Sequence, residues 1–110
     1  SEEDIKIVDL DTLTEMADFI TVHVPLNDQT RDLFDYKRLC KMKYSARIIN
    51  VARGGIINEP DLARAVSEEK IAGAAIDVFT SEPIDSSHPL IGVQNIVLTP
   101  HLGASTQEAK

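Results

Sequence analysis

Ser45–Gly55, SARIINVARGG, decides how the rest of the chain is read. Ile48, Ile49, Val51 and Ala52 form an apolar run that predicts a buried strand over about Arg47 to Ala52. The run stops at Arg53 and is broken by Gly54-Gly55. A strand delivering one charged side chain to its carboxyl end is the layout of an open α/β sheet, where ligands bind at that edge. Taken alone, Arg53 is either the anchor of an anionic substrate or a strand-end arginine in water.

Upstream, Ile5, Ile7 and Val8 follow an acidic start and read as a short strand or an extended lead-in. Asp11–Glu15 predicts a short helix capped by Asp11 or Thr12, with Leu10, Leu13 and Met16 on one face. Asp18–Pro25, DFITVHVP, is β-branched and apolar and predicts a strand stopped by proline. Asn27–Thr30 is turn chemistry. A helix is expected from about Thr30 to Lys43, packing through Leu33, Phe34, Tyr36, Leu39 and Met42. Cys40 lies in it as a plain thiol, and Lys37, Arg38, Lys41 and Lys43 read as a solvated face.

Downstream, Asn58 caps a helix with Pro60 in its first turn and Leu62, Ala65 and Val66 inward. Ala72–Phe79 predicts a strand, its alanines and Gly73 suggesting a helix tight against it. Ile84–Gln94 reads as a loop with a turn at Pro89–Ile91, Asn95–Thr99 as a last strand stopped by Pro100, and Ser105-Thr106 as the cap of a further helix. Strand, helix, strand, helix, strand, loop, strand predicts a parallel sheet with covering helices.

The 110 residues make one small domain, and 43% hydrophobic with 26% charged content is ordinary for a soluble globular protein. A net charge of −7 argues against an electrostatic grip on nucleic acid or an anionic membrane. No apolar run reaches the ~20 residues of a membrane span, and the acidic start is the wrong sign for a signal peptide. One cysteine rules out an internal disulfide and fits a reducing compartment. No Cys/His grouping has metal-site spacing. No G-x-G-x-x-G occurs among the five glycines, so the order predicts the later half of a doubly wound domain.

Arg53, Glu82 and His101 each follow a strand-like run, and a parallel sheet brings such ends to one edge. An arginine holds a carboxylate by two hydrogen bonds, a histidine exchanges a proton near neutrality, and a carboxylate beside it fixes the ring. Together they suit oxidation of an alcohol next to a carboxylate. Spacing alone favours the plainer reading, in which the three share no task. Asp77, inside an apolar run, faces either a ligand at the sheet edge or a basic group on a helix. His23 reads as a hydrogen-bonded core histidine or a cleft residue, and His88 as surface.

ADFITVHVPLNDQTRDLF (17–34), INVARGGIINEPDLARAV (49–66), GAAIDVFTSEP (73–83) and LTPHLGAST (98–106) occur in order. They closely resemble the NAD-binding domain of the D-isomer-specific 2-hydroxyacid dehydrogenases. The tail HLGASTQEA looks most like the 3-phosphoglycerate branch of that family. The resemblance implies an α/β fold, with residues 1–110 forming the C-terminal half of a Rossmann-type nucleotide-binding domain. It lacks the glycine-rich loop and the substrate domain. The resemblance also implies NAD as cofactor, a small 2-hydroxy acid as substrate, a homo-oligomer and a cytoplasmic location. Arg53 matches the substrate-binding arginine, His101 the general acid/base and Glu82 its carboxylate partner. Asp77 matches a residue near the nicotinamide. Val24, Pro25, Val51, Ala52, Gly103 and Ala104 match positions around NAD. The alternatives are a sister reductase of glyoxylate or hydroxypyruvate, or a half-domain that self-associates without catalysis.

Overall fold

The computed structural model describes residues 9–80 and 87–99. The elements run α1 (Leu10–Met16), β1 (Phe19–Val22), α2 (Tyr36–Leu39), β2 (Arg47–Asn50), α3 (Glu59–Ser67), β3 (Gly73–Ile76) and β4 (Ile96–Leu98). The four strands form one sheet in the order β1-β2-β3-β4, every pair parallel. The lead-in at Ile5–Val8, the stretch 81–86 with Glu82, and everything from Pro100 onward lie outside the described residues. His101, Gly103, Ala104 and the helix cap at Ser105-Thr106 fall in that last part.

Register explains the burial. One face carries the cross-strand rows Ile20-Ile48-Ala74-Ile96 and Val22-Asn50-Ile76-Leu98. The six on β1, β2 and β3 are buried and belong to the core or its polar lining, and Ile96 and Leu98 on β4 are half-buried. Leu39, Met42, Leu62, Ala65 and Val66 join the same core from the α2 and α3 side. The other face carries Phe19, Thr21, Ile49 and Val97, and Phe19 and Val97 stay 63% and 57% exposed.

α3 forms as its sequence predicts. Asn58 accepts the Asp61 N–H at 2.9 Å, Pro60 sits in the first turn, and Leu62, Ala65 and Val66 are buried. The helix expected over 30–43 shrinks to one turn. Asn27 Oδ1 accepts the N–H groups of Gln29 and Thr30, and Asp32 takes a left-handed φ of 54°. Phe34 then pairs with the chain after β2, exchanging bonds with Ile56 and Asn58. Only at Asp35, which caps through Arg38 N–H, does a helix begin. The five packing positions expected of that segment are nevertheless all buried or half-buried, and Cys40 is the half-buried C-cap.

α1 is capped by Asp9 rather than Asp11 or Thr12. Its inward residue is Thr14, whose hydroxyl donates to Leu10 O at 2.7 Å, whereas Leu13 and Met16 are exposed. Asp11, one turn before Thr14, pairs with Arg38 at 2.7 Å and lies 3.8 Å from Lys41, which turns that helix face toward α2. The basic cluster is therefore partly paired, Lys43 also meeting Asp18 at 3.0 Å. Close packing at Gly73 comes from a loop, not a helix: a Cβ there would fall 2.5 Å from Asn95 O.

Side chains tie α2 to α3. Tyr36 N–H donates to Asp61, its hydroxyl donates to Glu68 Oε1 at 2.5 Å, and Arg64 lies 3.8 Å over its ring. Donation to Glu68 pushes the Tyr36 phenol up to about 12. The same bond, joined by Arg64 at 3.1 Å, lowers Glu68 below the usual carboxylate range.

Candidate functional site

The carboxyl ends of the strands gather at one edge. β2 ends at Asn50, two residues before the expected Ala52, because the Asn50 side chain takes over the backbone beyond it. Its Oδ1 accepts the Ala52 N–H at 3.0 Å and its Nδ2 donates to Arg53 O at 2.9 Å. Asn50 is 2% exposed, so water does not compete for these bonds. The loop bearing Arg53 is thus held from below by a buried amide. An asparagine inside the apolar run IINVA was the available signal.

Gly54 follows, and a Cβ there would overlap the carbonyl group of Phe79. Only glycine lets the chain after Arg53 lie against the chain leaving β3. Between these segments opens a cavity of about 510 Å³ lined by Leu26, Val51, Ala52, Arg53, Gly54 and Asp77–Thr80. Among the described residues no carboxylate pairs with the Arg53 guanidinium, and the side chain is exposed. Val51, predicted in a strand, stands instead at the edge, 48% exposed.

Asp77 sits one residue past β3 and is half-buried. Its Oδ1 accepts the Thr99 hydroxyl at 2.9 Å, which fixes the carboxylate across the ends of β3 and β4. One partner of Asp77 is thus a hydroxyl just past the neighbouring strand.

Arg53, Asp77, Val51 and Ala52 therefore share one cavity. Val24 and Pro25 stand exposed just before Leu26, which lines it. His23 is exposed, neither a core residue nor a lining one. Glu82, His101, Gly103 and Ala104 lie outside the described residues.

Two residues were missed. His88, expected at the surface, has a side chain only 9% exposed, and Glu59, between the Asn58 cap and Pro60, 11%. His88 Nε2 lies 3.1 Å from Glu59 Oε1, while Glu59 Oε2 accepts the Thr80 N–H at 2.7 Å. The signal was thin: a glutamate in the first turn of a helix and a histidine before a proline. Among the described residues no group of His, Cys, Asp and Glu has the makings of a metal site, and no helix is long and apolar enough to cross a membrane.

The family described as "D-isomer specific 2-hydroxyacid dehydrogenase, NAD binding domain" matches residues 1–103. The chain belongs to this family. D-3-phosphoglycerate dehydrogenase of Synechocystis sp. is 52% identical over 104 residues, covering 94% of this chain and 19% of that protein. Glyoxylate reductase of Thermofilum pendens is 45% identical over 106 residues, covering 96% and 31%. In structure, the NAD-dependent formate dehydrogenase of Staphylococcus aureus in complex with NAD superposes with a TM-score of 0.85 at 36% identity, covering 93% of this chain and 31% of that one. The chain spans about a fifth to a third of the length of these relatives. The parallel sheet is that of a Rossmann-type dehydrogenase domain.

The residues at the edge suit the ring end of a nicotinamide cofactor. Val51, Ala52 and Leu26 offer apolar walls, while Arg53 and the fixed Asp77 offer a cation and an acceptor.

Proposed function

We propose that this chain forms the nicotinamide side of the active site in a cytoplasmic, NAD-dependent D-3-phosphoglycerate dehydrogenase, which oxidises 3-phosphoglycerate to 3-phosphohydroxypyruvate. One observation carries the reading: Arg53, with no carboxylate partner among the described residues, lines the strand-end cavity of a chain 52% identical to such an enzyme. Arg53 grips the substrate carboxylate with two parallel hydrogen bonds and draws charge toward the forming carbonyl. His101 takes the hydroxyl proton, and Glu82 orients its ring and favours the imidazolium that results. Val51, Ala52, Val24, Pro25, Gly103 and Ala104 would hold the cofactor, with Asp77, held by Thr99, near its nicotinamide. When bound, NAD supplies the acceptor for the hydride leaving the substrate's hydroxyl-bearing carbon.

The test is a turnover assay of the full-length protein that carries this chain, following NADH with 3-phosphoglycerate and, in reverse, glyoxylate and hydroxypyruvate. Preference for 3-phosphoglycerate supports the reading. Preference for glyoxylate would move it to the sister reductases, a reading favoured by the 45% identity to glyoxylate reductase. No turnover with any 2-hydroxy or 2-oxo acid sinks it. Self-association without chemistry is favoured by a different observation: among the described residues β1 is an edge strand, and Phe19 and Val97 are exposed on one open face.

A further inference from the structure

Neither Glu59 nor His88 lines the cavity, yet each touches a residue that does. Leu90 N–H donates to His88 Nδ1 at 3.1 Å. Nδ1 is therefore the bare nitrogen, and the proton sits on Nε2, from which it is donated to Glu59 Oε1. The second Glu59 oxygen holds the Thr80 N–H. The His88 ring stands edge-on to Phe79, centroids 5.4 Å apart at 84°. The Phe79 carbonyl is the group against which Gly54 rests. A single path of contacts thus runs from His88 through Glu59, Thr80 and Phe79 to Gly54, the neighbour of Arg53.

We propose that Glu59 and His88 are positioning residues for Arg53: together they set how far the Phe79–Thr80 wall stands from the strand end that carries it. The proposal rests on the reading of Arg53 as the substrate-carboxylate anchor. One carboxylate with two oxygens serves two donors on different segments, Thr80 N–H and His88 Nε2–H. A glutamine at 59 offers one acceptor and must leave one of them unpaired. An asparagine at 88 mimics Nδ1 and keeps the Leu90 bond but is too short for Glu59; a glutamine mimics Nε2 and keeps the Glu59 bond.

The experiment uses the full-length protein with the variants His88→Asn, His88→Gln and Glu59→Gln, each also combined with Arg53→Ala. His88→Asn and Glu59→Gln are expected to raise the KM for the 2-oxo acid about tenfold, with the KM for NADH changed less than about twofold. His88→Gln should restore most of the loss. In the Arg53→Ala background the same changes should add less than about twofold, since they act through the side chain already removed. An unchanged acid KM overturns the proposal, as does a full effect that persists without Arg53. Nitrogen-detected NMR of the same proteins reads the pair without turnover. The Nε2–H tautomer of His88 and a displaced Arg53 Nε resonance in His88→Asn are expected. An Arg53 resonance unmoved in both His88→Asn and Glu59→Gln overturns positioning even if no 2-oxo acid is turned over, whereas absent turnover with a displaced resonance overturns only the dehydrogenase reading.

Discussion

Replacing Asn50 by leucine separates packing from hydrogen bonding at the base of the site. Asn50 lies in the row Val22-Asn50-Ile76, and a leucine there keeps the branching and heavy-atom count among apolar neighbours but is bulkier. Packing alone sets the gain from apolar contact against modest overpacking and predicts a small net change. Against it stand two bonds, from Ala52 N–H at 3.0 Å and to Arg53 O at 2.9 Å. Each contributes about 0.5–1.5 kcal/mol net, and a donor left unpaired in a half-buried backbone costs about 1–3 kcal/mol. The Arg53 carbonyl belongs to an exposed residue and regains water; the Ala52 N–H is half-buried and regains less. We expect a net loss of about 1–2 kcal/mol, or a melting temperature lower by roughly 5–15 °C for a domain of this size. Asn50→Asp keeps the acceptor for Ala52 but sets a buried carboxylate against the Arg53 carbonyl, and should cost more. Urea unfolding followed by circular dichroism gives both values. Asn50→Leu at or above wild-type stability, with an unchanged denaturant slope, would refute the claim that the amide holds the Arg53 loop.

Gly54→Ala drives a methyl into backbone that has no rotamer to yield, and should cost about 3 kcal/mol by the same unfolding assay, while a surface-like change below about 0.5 kcal/mol would contradict the close approach to Phe79. Leu62→Ala empties a fully buried position of α3 and should cost about 2–5 kcal/mol, read as a shifted urea midpoint. The folded state raises the Tyr36 phenol to about 12 from an ordinary 10, so its stabilising donation to Glu68 is complete below pH 10 and is lost as pH climbs toward 12. The lowered Glu68 works in the opposite direction: its contribution is present above its ordinary 4.5 and fades as pH falls below that value. Tyr36→Phe should therefore flatten the alkaline arm of a stability–pH profile, and an unaltered arm would count against the bond. Phe19→Lys should suppress any concentration-dependent sedimentation of the 110-residue chain, because it places a charge on the open edge strand.

Much of this architecture was legible because parallel strands announce themselves as short apolar runs and helices as capped periodic ones. The start of the strand before Arg53, the Asn58 cap and the buried trio Leu62, Ala65 and Val66 lie where the sequence puts them, though that strand ends at Asn50 rather than Ala52. What misled was local. Leucines and aromatics from 33 to 42 are spaced as a helix would space them, yet the Asn27 side chain and the left-handed Asp32 spend those residues on turns and a bridge. Three apolar residues in α1 could not choose a face against the pull of Asp11 toward Arg38. The strand-end position of Arg53 and Asp77 was readable. The partners that hold their segments were not: Thr99, Glu59 and His88 act across 21 to 29 positions of chain through contacts that no local pattern encodes, and Asn50, whose bonds span only 2 and 3 positions, shows in the sequence only as an amide within an apolar run.

That the sheet is parallel throughout also governs how it can assemble. Phe19 pairs with Arg47, Arg47 with Gly73, and Ala74 with Ile96, so each rung closes a loop of more than twenty residues. Among the described residues no tight hairpin is there to form early as a template, and each strand must wait for the segment between it and its neighbour to collapse. Topologies built on such distant contacts reach the native state slowly, and meanwhile their unpaired edges are open to other chains. During synthesis, Phe19–Val22 leaves the ribosome long before its partner strand, and a chaperone that shields it would raise the yield of folded protein more than its rate of folding.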